Sequence, residues 1–193
     1  MVRHGLLVAG AVAFCVLVLL NVGGYRYGVS DQAFYIPVVR QGLEPGLYPH
    51  DASLLAAQNR FFAFDNWFAP LVGLTGSAVP HAFLLVYLAG LLALYIAAVG
   101  VGRGLFKTWW AVAGFLVGLT LRHRIPDTAV NTMEAYFHPR LLAFAVGLAA
   151  VAIFLRGRTW PALLVAAAAL LIHPTTALWF ALWVDVAALV ADR

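Results

Sequence analysis

Charged side chains are scarce in this sequence. Lysine, arginine, aspartate and glutamate make up only 10% of the 193 residues, whereas hydrophobic residues make up 64%. A soluble domain of this length needs far more charge to cover its surface. The apolar residues also form long runs rather than a single stripe, which is typical of helices buried in lipid. The composition therefore excludes an ordinary soluble domain and predicts an integral membrane protein in contact with membrane lipid.

Cysteine is also nearly absent. Cys15 is the one cysteine and lies inside the first apolar run, so the chain has no intrachain disulfide. The formal net charge is +4, but the basic residues stand one to three at a time between apolar runs, without a basic stripe or an aromatic stacking platform. We therefore expect no nucleic acid partner, and we interpret the basic residues as markers of membrane topology.

The apolar runs predict an all-α, polytopic transmembrane bundle of about 5–6 spans. The last run is interrupted by His173-Pro174 and forms either one kinked helix or a hairpin of two shorter helices. The predicted spans cover residues 6–22, 81–101, 108–121, 141–155 and 160–190. We expect one membrane domain over residues 1–193.

Two longer polar segments, residues 25–79 and 122–140, separate these runs. Within the first segment, apolar residues after Asp51 recur at spacings of three and four, which predicts helices lying in the membrane interface. The short basic connections at 103–107 and 156–158 fall on the same side as the amino terminus. The positive-inside rule assigns that side to the cytoplasm and both polar segments to the outer face of the inner (plasma) membrane.

The polar segments hold most of the candidates for chemistry. Asp31 follows the first span and can act as a base, bind a metal or cap a helix. Glu134 and His138 are four residues apart, so on a helix they share one face. With His123 and Asp127 they form a possible oxygen and nitrogen donor set for a divalent metal ion. Glu134 can instead pair with Arg140.

Three further residues stand at the edges of, or inside, the apolar runs. Arg140 can either clamp a phosphate or extend to the membrane interface. His173, where the last run breaks, can line a cavity or make a structural hydrogen bond. Asp185 is a functional candidate if it lies within the membrane, but a hairpin would place it near the cytoplasmic surface, where it needs no function.

The order of these features, together with three short sequence motifs, resembles the amino-terminal module of the GT-C glycosyltransferase superfamily. The resemblance is to bacterial membrane proteins of this kind. This superfamily includes protein mannosyltransferases, oligosaccharyltransferases and aminoarabinose transferases. The acid of the first loop corresponds to Asp31, although many members have Asp-Glu where this chain has Asp31-Gln32. Members usually have more spans, so we expect this chain to be the amino-terminal part of a longer protein. The motifs are Ser30-Asp31-Gln32-Ala33-Phe34-Tyr35-Ile36-Pro37, Glu134 with His138-Pro139-Arg140, and Leu171-Ile172-His173-Pro174-Thr175-Thr176-Ala177.

The resemblance implies sugar transfer from a polyprenyl-phosphate donor at the outer membrane face. Asp31 and Glu134 would be the catalytic carboxylates, and Arg140, His138 and His173 would bind substrate. Asp31, Glu134 and His138 would also be the ligands if a divalent metal ion is used. Two alternatives are a transporter or permease with a site at the broken helix, and a noncatalytic membrane scaffold whose helices meet at Gly114 and Gly118.

Overall fold

The computed structural model describes residues 2–59, 63–123 and 131–191, and the regular structure in these ranges is α-helical, as predicted. Nine helices are present in the described ranges. They are α1 (Val2–Val22), α2 (Gln32–Leu43), α3 (Ala52–Asn59), α4 (Ala63–Thr75), α5 (Val79–Leu105), α6 (Trp109–Thr120), α7 (Pro139–Phe154), α8 (Thr159–Leu170) and α9 (Pro174–Ala191).

Two of these helices, α1 and α5, are long and apolar enough to cross a membrane. Leu6, Val8 and Leu20 of α1 are each more than 60% exposed. Water-facing surfaces rarely carry so continuous an apolar patch, so α1 is suited to a lipid environment. Helices α6 and α8 have 12 residues each, or about 18 Å, against a hydrocarbon core of about 30 Å. The prediction of 5–6 spans is therefore supported by length for two helices and remains a prediction for the others.

Helix α5 is the centre of the bundle and packs against α1, α6 and α7, while α7 also packs against α8 and α9. Small residues allow these close approaches. A Cβ added at Gly100 would come within 2.9 Å of Ala152, and one added at Gly147 would overlap the ring of Phe180. Gly114 and Gly118 face open space in the described structure, so the predicted helix contact at these two glycines is not made within the chain.

Hydrogen bonds between elements show which ends of the helices lie together. The hydroxyl of Tyr95 donates to the carbonyl of Leu7, near the start of α1, at 3.1 Å. The hydroxyl of Tyr87, closer to the start of α5, donates to the carbonyl of Glu134 at 3.0 Å. The ring of Tyr25, which follows the end of α1, contacts the ring of Tyr87, so α1 and α5 are antiparallel. The described parts of both polar segments lie at one end of the bundle, which we call the site end, as the sequence predicted.

The last apolar run is a hairpin. Residues 171–173 form a turn between α8 and α9. Phe144 and Phe154 of α7 contact Phe180 and Trp183 of α9 in the same order along both helices, so α9 runs parallel to α7. Helix α8 returns between them. Asp185 is exposed and follows Trp183, so it lies near the end of α7, away from the site end.

Helices α2, α3 and α4 belong to the first polar segment and pack against one another at the site end. Phe64 and Phe68 of α4 stack with ring centroids 4.8 Å apart. Phe64 also contacts Phe137, and Phe68 contacts Phe83 of α5. These aromatic contacts fix α4 against the bundle and close one side of the region where the candidate residues lie.

Candidate functional site

The described part of the second polar segment, residues 131–138, is not helical. The prediction that Glu134 and His138 share a helix face is therefore wrong. Three main-chain carbonyls of this segment accept hydrogen bonds from elsewhere in the chain, which replaces the bonds that a helix would supply. The Tyr87 hydroxyl donates to Glu134, the Arg26 N–H donates to Ala135 at 2.6 Å, and the Gln32 side-chain amide donates to Phe137 at 3.1 Å.

The side chains of this segment still converge, although its backbone bends at residues 132–133 and 135–136 and forms neither helix nor strand. Met133 and Phe137 are buried in the hydrophobic core. Glu134, Tyr136 and His138 form the other set and point toward Asp31. The grouping of Glu134 with His138 was therefore found, although the secondary structure was not.

Asp31 precedes the first residue of α2, but its side chain makes no capping hydrogen bond. Instead, its Oδ2 lies 3.2 Å from His138 Nε2 and accepts from the Tyr136 hydroxyl at 3.3 Å. The hydrogen bond from His138 has the largest effect on the pKa of Asp31 and lowers it. The hydrogen bond from Tyr136 and the charge of Arg140 also lower this pKa. The carboxylate is about 40% exposed and ionised at neutral pH.

His138 joins the start of α7 to Asp31. Its Nδ1 accepts from the main-chain N–H of Arg140 at 3.0 Å and thereby caps α7. Nδ1 therefore carries no proton, so in the neutral ring Nε2 carries it and donates to Asp31. The Tyr35 hydroxyl lies 3.5 Å from the same Nε2. His138 is 3% exposed, and both of its nitrogens have protein partners, so it orients Asp31 rather than facing open space.

Glu134 meets Asp31 at the hydroxyl of Tyr136, which lies 3.3 Å from a carboxyl oxygen of each. One hydroxyl proton can be donated to only one of them at a time. Glu134 also forms an ion pair with Arg140 at 3.3 Å. Burial is the largest effect on Glu134 and raises its pKa, although Arg140 and Tyr136 oppose it. Burial likewise raises the pKa of Tyr136 to about 12.

His173 comes from the α8–α9 turn and lies behind His138, with ring centroids 5.3 Å apart. Its Nδ1 lies 2.9 Å from the Thr176 hydroxyl and accepts from the Thr176 N–H at 3.3 Å, which anchors the start of α9. Burial lowers the pKa of His173 to about 4, with smaller contributions from His138 and Arg140. The ring is therefore neutral at physiological pH.

An amphipathic cavity of about 480 Å³ opens between α5, α7 and α9 at the site end. One part of its wall is polar and the other is aromatic and aliphatic. The polar residues include Glu134, Tyr136, Arg140, His173, Thr175 and Thr176, and the apolar residues include Leu91, Leu141, Phe144, Trp179 and Phe180.

A second, polar cavity of about 370 Å³ lies on the other side of Glu134 and Tyr136, and these two residues and Asn131 line both cavities. Asp31 lines the polar cavity only, and Arg140 the amphipathic cavity only. The remaining residues around the polar cavity are Val22, Arg26, Val29, Ser30, Arg122 and Ala135.

The predicted metal ligands Asp31, Glu134 and His138 come close together, but they do not form a metal site. In the described ranges no group of three or more histidine, cysteine, aspartate or glutamate side chains is arranged to hold an ion. The physical reason is that each potential ligand already has a protein partner: Arg140 for Glu134, His138 for Asp31, and the N–H of Arg140 for His138 Nδ1. His123 bonds to Thr132, and Asp127 lies outside the described residues.

Two residues of the site were missed by sequence reasoning. Tyr136 lies between Glu134 and His138, and no periodicity of the sequence pointed to it. Gln32 is fully buried, accepts from Gly28 N–H at 2.8 Å and donates to the carbonyl of Phe137. An ionised glutamate at position 32 would lose that donor, so the hydrogen bonds at this position favour glutamine.

Comparison with known proteins adds no relative: no protein family, curated protein or solved structure matches this chain. The chemistry of the site therefore depends on its own residues. These are an ionised aspartate, a buried glutamate paired with an arginine, and a hydroxyl between the two acids. They lie at the boundary between an amphipathic and a polar cavity.

Proposed function

We propose that this chain is the membrane domain of a GT-C-like glycosyltransferase that takes its sugar from a polyprenyl-phosphate donor. The observation that carries the proposal is the meeting of Asp31 and Glu134 at Tyr136, between an amphipathic and a polar cavity. This arrangement is suited to transfer between a lipid-linked donor and a water-soluble acceptor, because the two substrates would approach the reacting atoms from different surroundings.

The amphipathic cavity suits the donor. Arg140 provides a guanidinium at its polar side, and guanidinium matches phosphate oxygens in charge and geometry. Phe144 and Phe180 lie in contact on the apolar side, where a prenyl chain can be buried. Arg140 pairs with Glu134, and this carboxylate holds the guanidinium at the cavity wall, where it can bind a phosphate.

The polar cavity suits the acceptor, and Asp31 is an ionised acid on its wall. In the proposed step, an acceptor hydroxyl gives its proton to Asp31 while its oxygen bonds to the anomeric carbon of the sugar. The bond from that carbon to the phosphate oxygen breaks, and the polyprenyl phosphate leaves with the electron pair. Arg140 stabilises the charge that develops on the leaving phosphate, which is most effective in a cavity poor in water.

The proposed topology is multi-pass, with the amino terminus in the cytoplasm and the site end at the outer face of a bacterial inner membrane. It is supported by the positions of Arg103 and Arg156, which belong to connections at the end opposite the site. The transporter alternative has no comparable support, because Asp185 is exposed and distant from the break at His173.

Donor hydrolysis tests the catalytic proposal without knowledge of the acceptor. The purified protein in lipid nanodiscs is supplied with polyprenyl-phosphate hexoses, and the released polyprenyl phosphate is measured. Because loss of a general base costs about 10²-fold or more, Asp31→Asn should reduce release by that factor. Asp51→Asn is the matched control, since Asp51 is an exposed acid of the same segment that lines neither cavity. Equal release by the wild type and Asp31→Asn, with both proteins folded and inserted, would remove Asp31 from the mechanism.

A further inference from the structure

The polar cavity contains two arginines to which the proposed reaction gives no role. Arg26 follows α1 and Arg122 follows α6, and both side chains are exposed at the cavity. The acids Asp31 and Glu134 line the same space. Both acids, however, already have other partners, because Asp31 accepts a hydrogen bond from His138 and Glu134 forms an ion pair with Arg140.

No described acid lies within ion-pair distance of Arg26 or Arg122. The polar cavity therefore holds two arginines that form no ion pair with a described acid. On the proposed topology both arginines face the outer side of the membrane, against the usual bias that keeps basic residues in the cytoplasm. An arginine pair at a cavity, on the side where arginine is disfavoured, indicates an anionic ligand.

The main chain at both arginines is held in place. Arg26 N–H donates to the carbonyl of Ala135 at 2.6 Å, directly beside Glu134. Arg122 lies between two residues that Thr132 ties together, because the Thr132 hydroxyl donates to the carbonyl of Leu121 and accepts from His123 N–H. Both guanidiniums thus extend from fixed positions on the cavity wall, so a bound anion would not have to order the backbone first.

We propose that the polar cavity binds a phosphate-bearing ligand through Arg26 and Arg122, as a second anion site distinct from the one at Arg140. The role of that ligand as a substrate rests on the proposed function, whereas the anion site itself does not. Two sources supply the same chemistry. One is a phosphate on the acceptor, and the other is the second phosphate of a donor linked through a diphosphate.

Binding of small probes to the full chain in phosphatidylcholine nanodiscs tests this site. Glucose 6-phosphate and glucose differ only in the phosphate group, and their binding is followed by saturation-transfer NMR. We expect the wild type to bind glucose 6-phosphate in preference to glucose, more weakly as salt is raised. The double variant Arg26→Gln/Arg122→Gln should bind glucose 6-phosphate about tenfold or more weakly, since charge-assisted hydrogen bonds to phosphate are lost.

Two controls separate charge from folding. Arg26→Lys/Arg122→Lys keeps both charges and should retain most of the binding. Arg103→Gln removes an arginine that lies over Trp109 at the opposite end of the bundle and should leave binding unchanged. Equal binding of glucose and glucose 6-phosphate by the wild type, or undiminished binding by the glutamine double variant, would overturn the proposal.

A second pair of probes, farnesyl phosphate and farnesyl diphosphate, identifies the source of the phosphate. If the anion belongs to the donor, the wild type prefers the diphosphate and the glutamine double variant loses that preference. If it belongs to the acceptor, only glucose 6-phosphate binding depends on the two arginines. If Asp31→Asn leaves donor hydrolysis unchanged while binding still depends on the two arginines, the anion site is supported and the transferase proposal is rejected. The reverse result would remove the anion site alone.

Discussion

Asp65 offers a quantitative test of the packing at the site end. Its carboxyl group lies in α4 beside Phe64, is 2% exposed, and has no hydrogen-bond partner among the described residues. Burial without a partner disfavours the charged form, and it raises the pKa of Asp65 from its usual 3.8 to about 7. In the folded protein this carboxyl should therefore remain protonated well above the pH at which it ionises in the unfolded chain.

The sign of the effect on stability follows from this raised pKa. Below about pH 4 the carboxyl is neutral in both states and costs nothing by this route. As the pH rises toward 7, the unfolded chain gains a solvated charge that the folded chain resists, so folding becomes less favourable. At 1.36 kcal/mol per pKa unit, the penalty grows by roughly 2–3 kcal/mol between pH 5 and pH 8.

Thermal unfolding of the detergent-solubilised protein at pH 5 and pH 8 measures this penalty. Asp65→Asn keeps the shape of the side chain and removes its charge. The stability of this variant relative to the wild type should therefore be greater at pH 8 than at pH 5. Asp51→Asn, an exposed acid in the same segment, should show no such difference. Identical pH dependence of the wild type and Asp65→Asn would refute the assignment of an ionisable group buried without a partner.

Two further perturbations test the site and the helix packing. Tyr136→Phe removes a hydrogen bond that lowers the pKa values of both Asp31 and Glu134, so the acid limb of the pH profile for donor hydrolysis should move to higher pH; an unmoved limb would contradict the bridging hydroxyl. Gly147→Ala should lower stability by about 1–3 kcal/mol through its overlap with Phe180, as measured by thermal unfolding. Gly114→Ala, where the structure has open space, is its control, and equal losses in the two variants would argue against close packing at Gly147.

The sequence by itself determined the helical class and most helix positions. Apolar runs at residues 6–22 and 81–101 became α1 and α5, because runs of this length satisfy their backbone hydrogen bonds only as helices when water is excluded. The break at His173-Pro174 marked the turn between α8 and α9. Proline has no N–H to continue a helix and restricts the residue before it, so the break was predicted, but only the tertiary structure decided between a kinked helix and a hairpin.

Only the tertiary structure decided which polar residues act together. Asp31 and Tyr136 are 105 positions apart in the chain, and no local pattern links them. Their contact depends on the antiparallel course of α1 and α5 and on the irregular path of residues 131–138. That path is stabilised by donors from Arg26, Gln32 and Tyr87, which belong to three other parts of the chain. Long-range hydrogen bonds of this kind leave no periodicity in the sequence, so the site emerges only when the helices are packed.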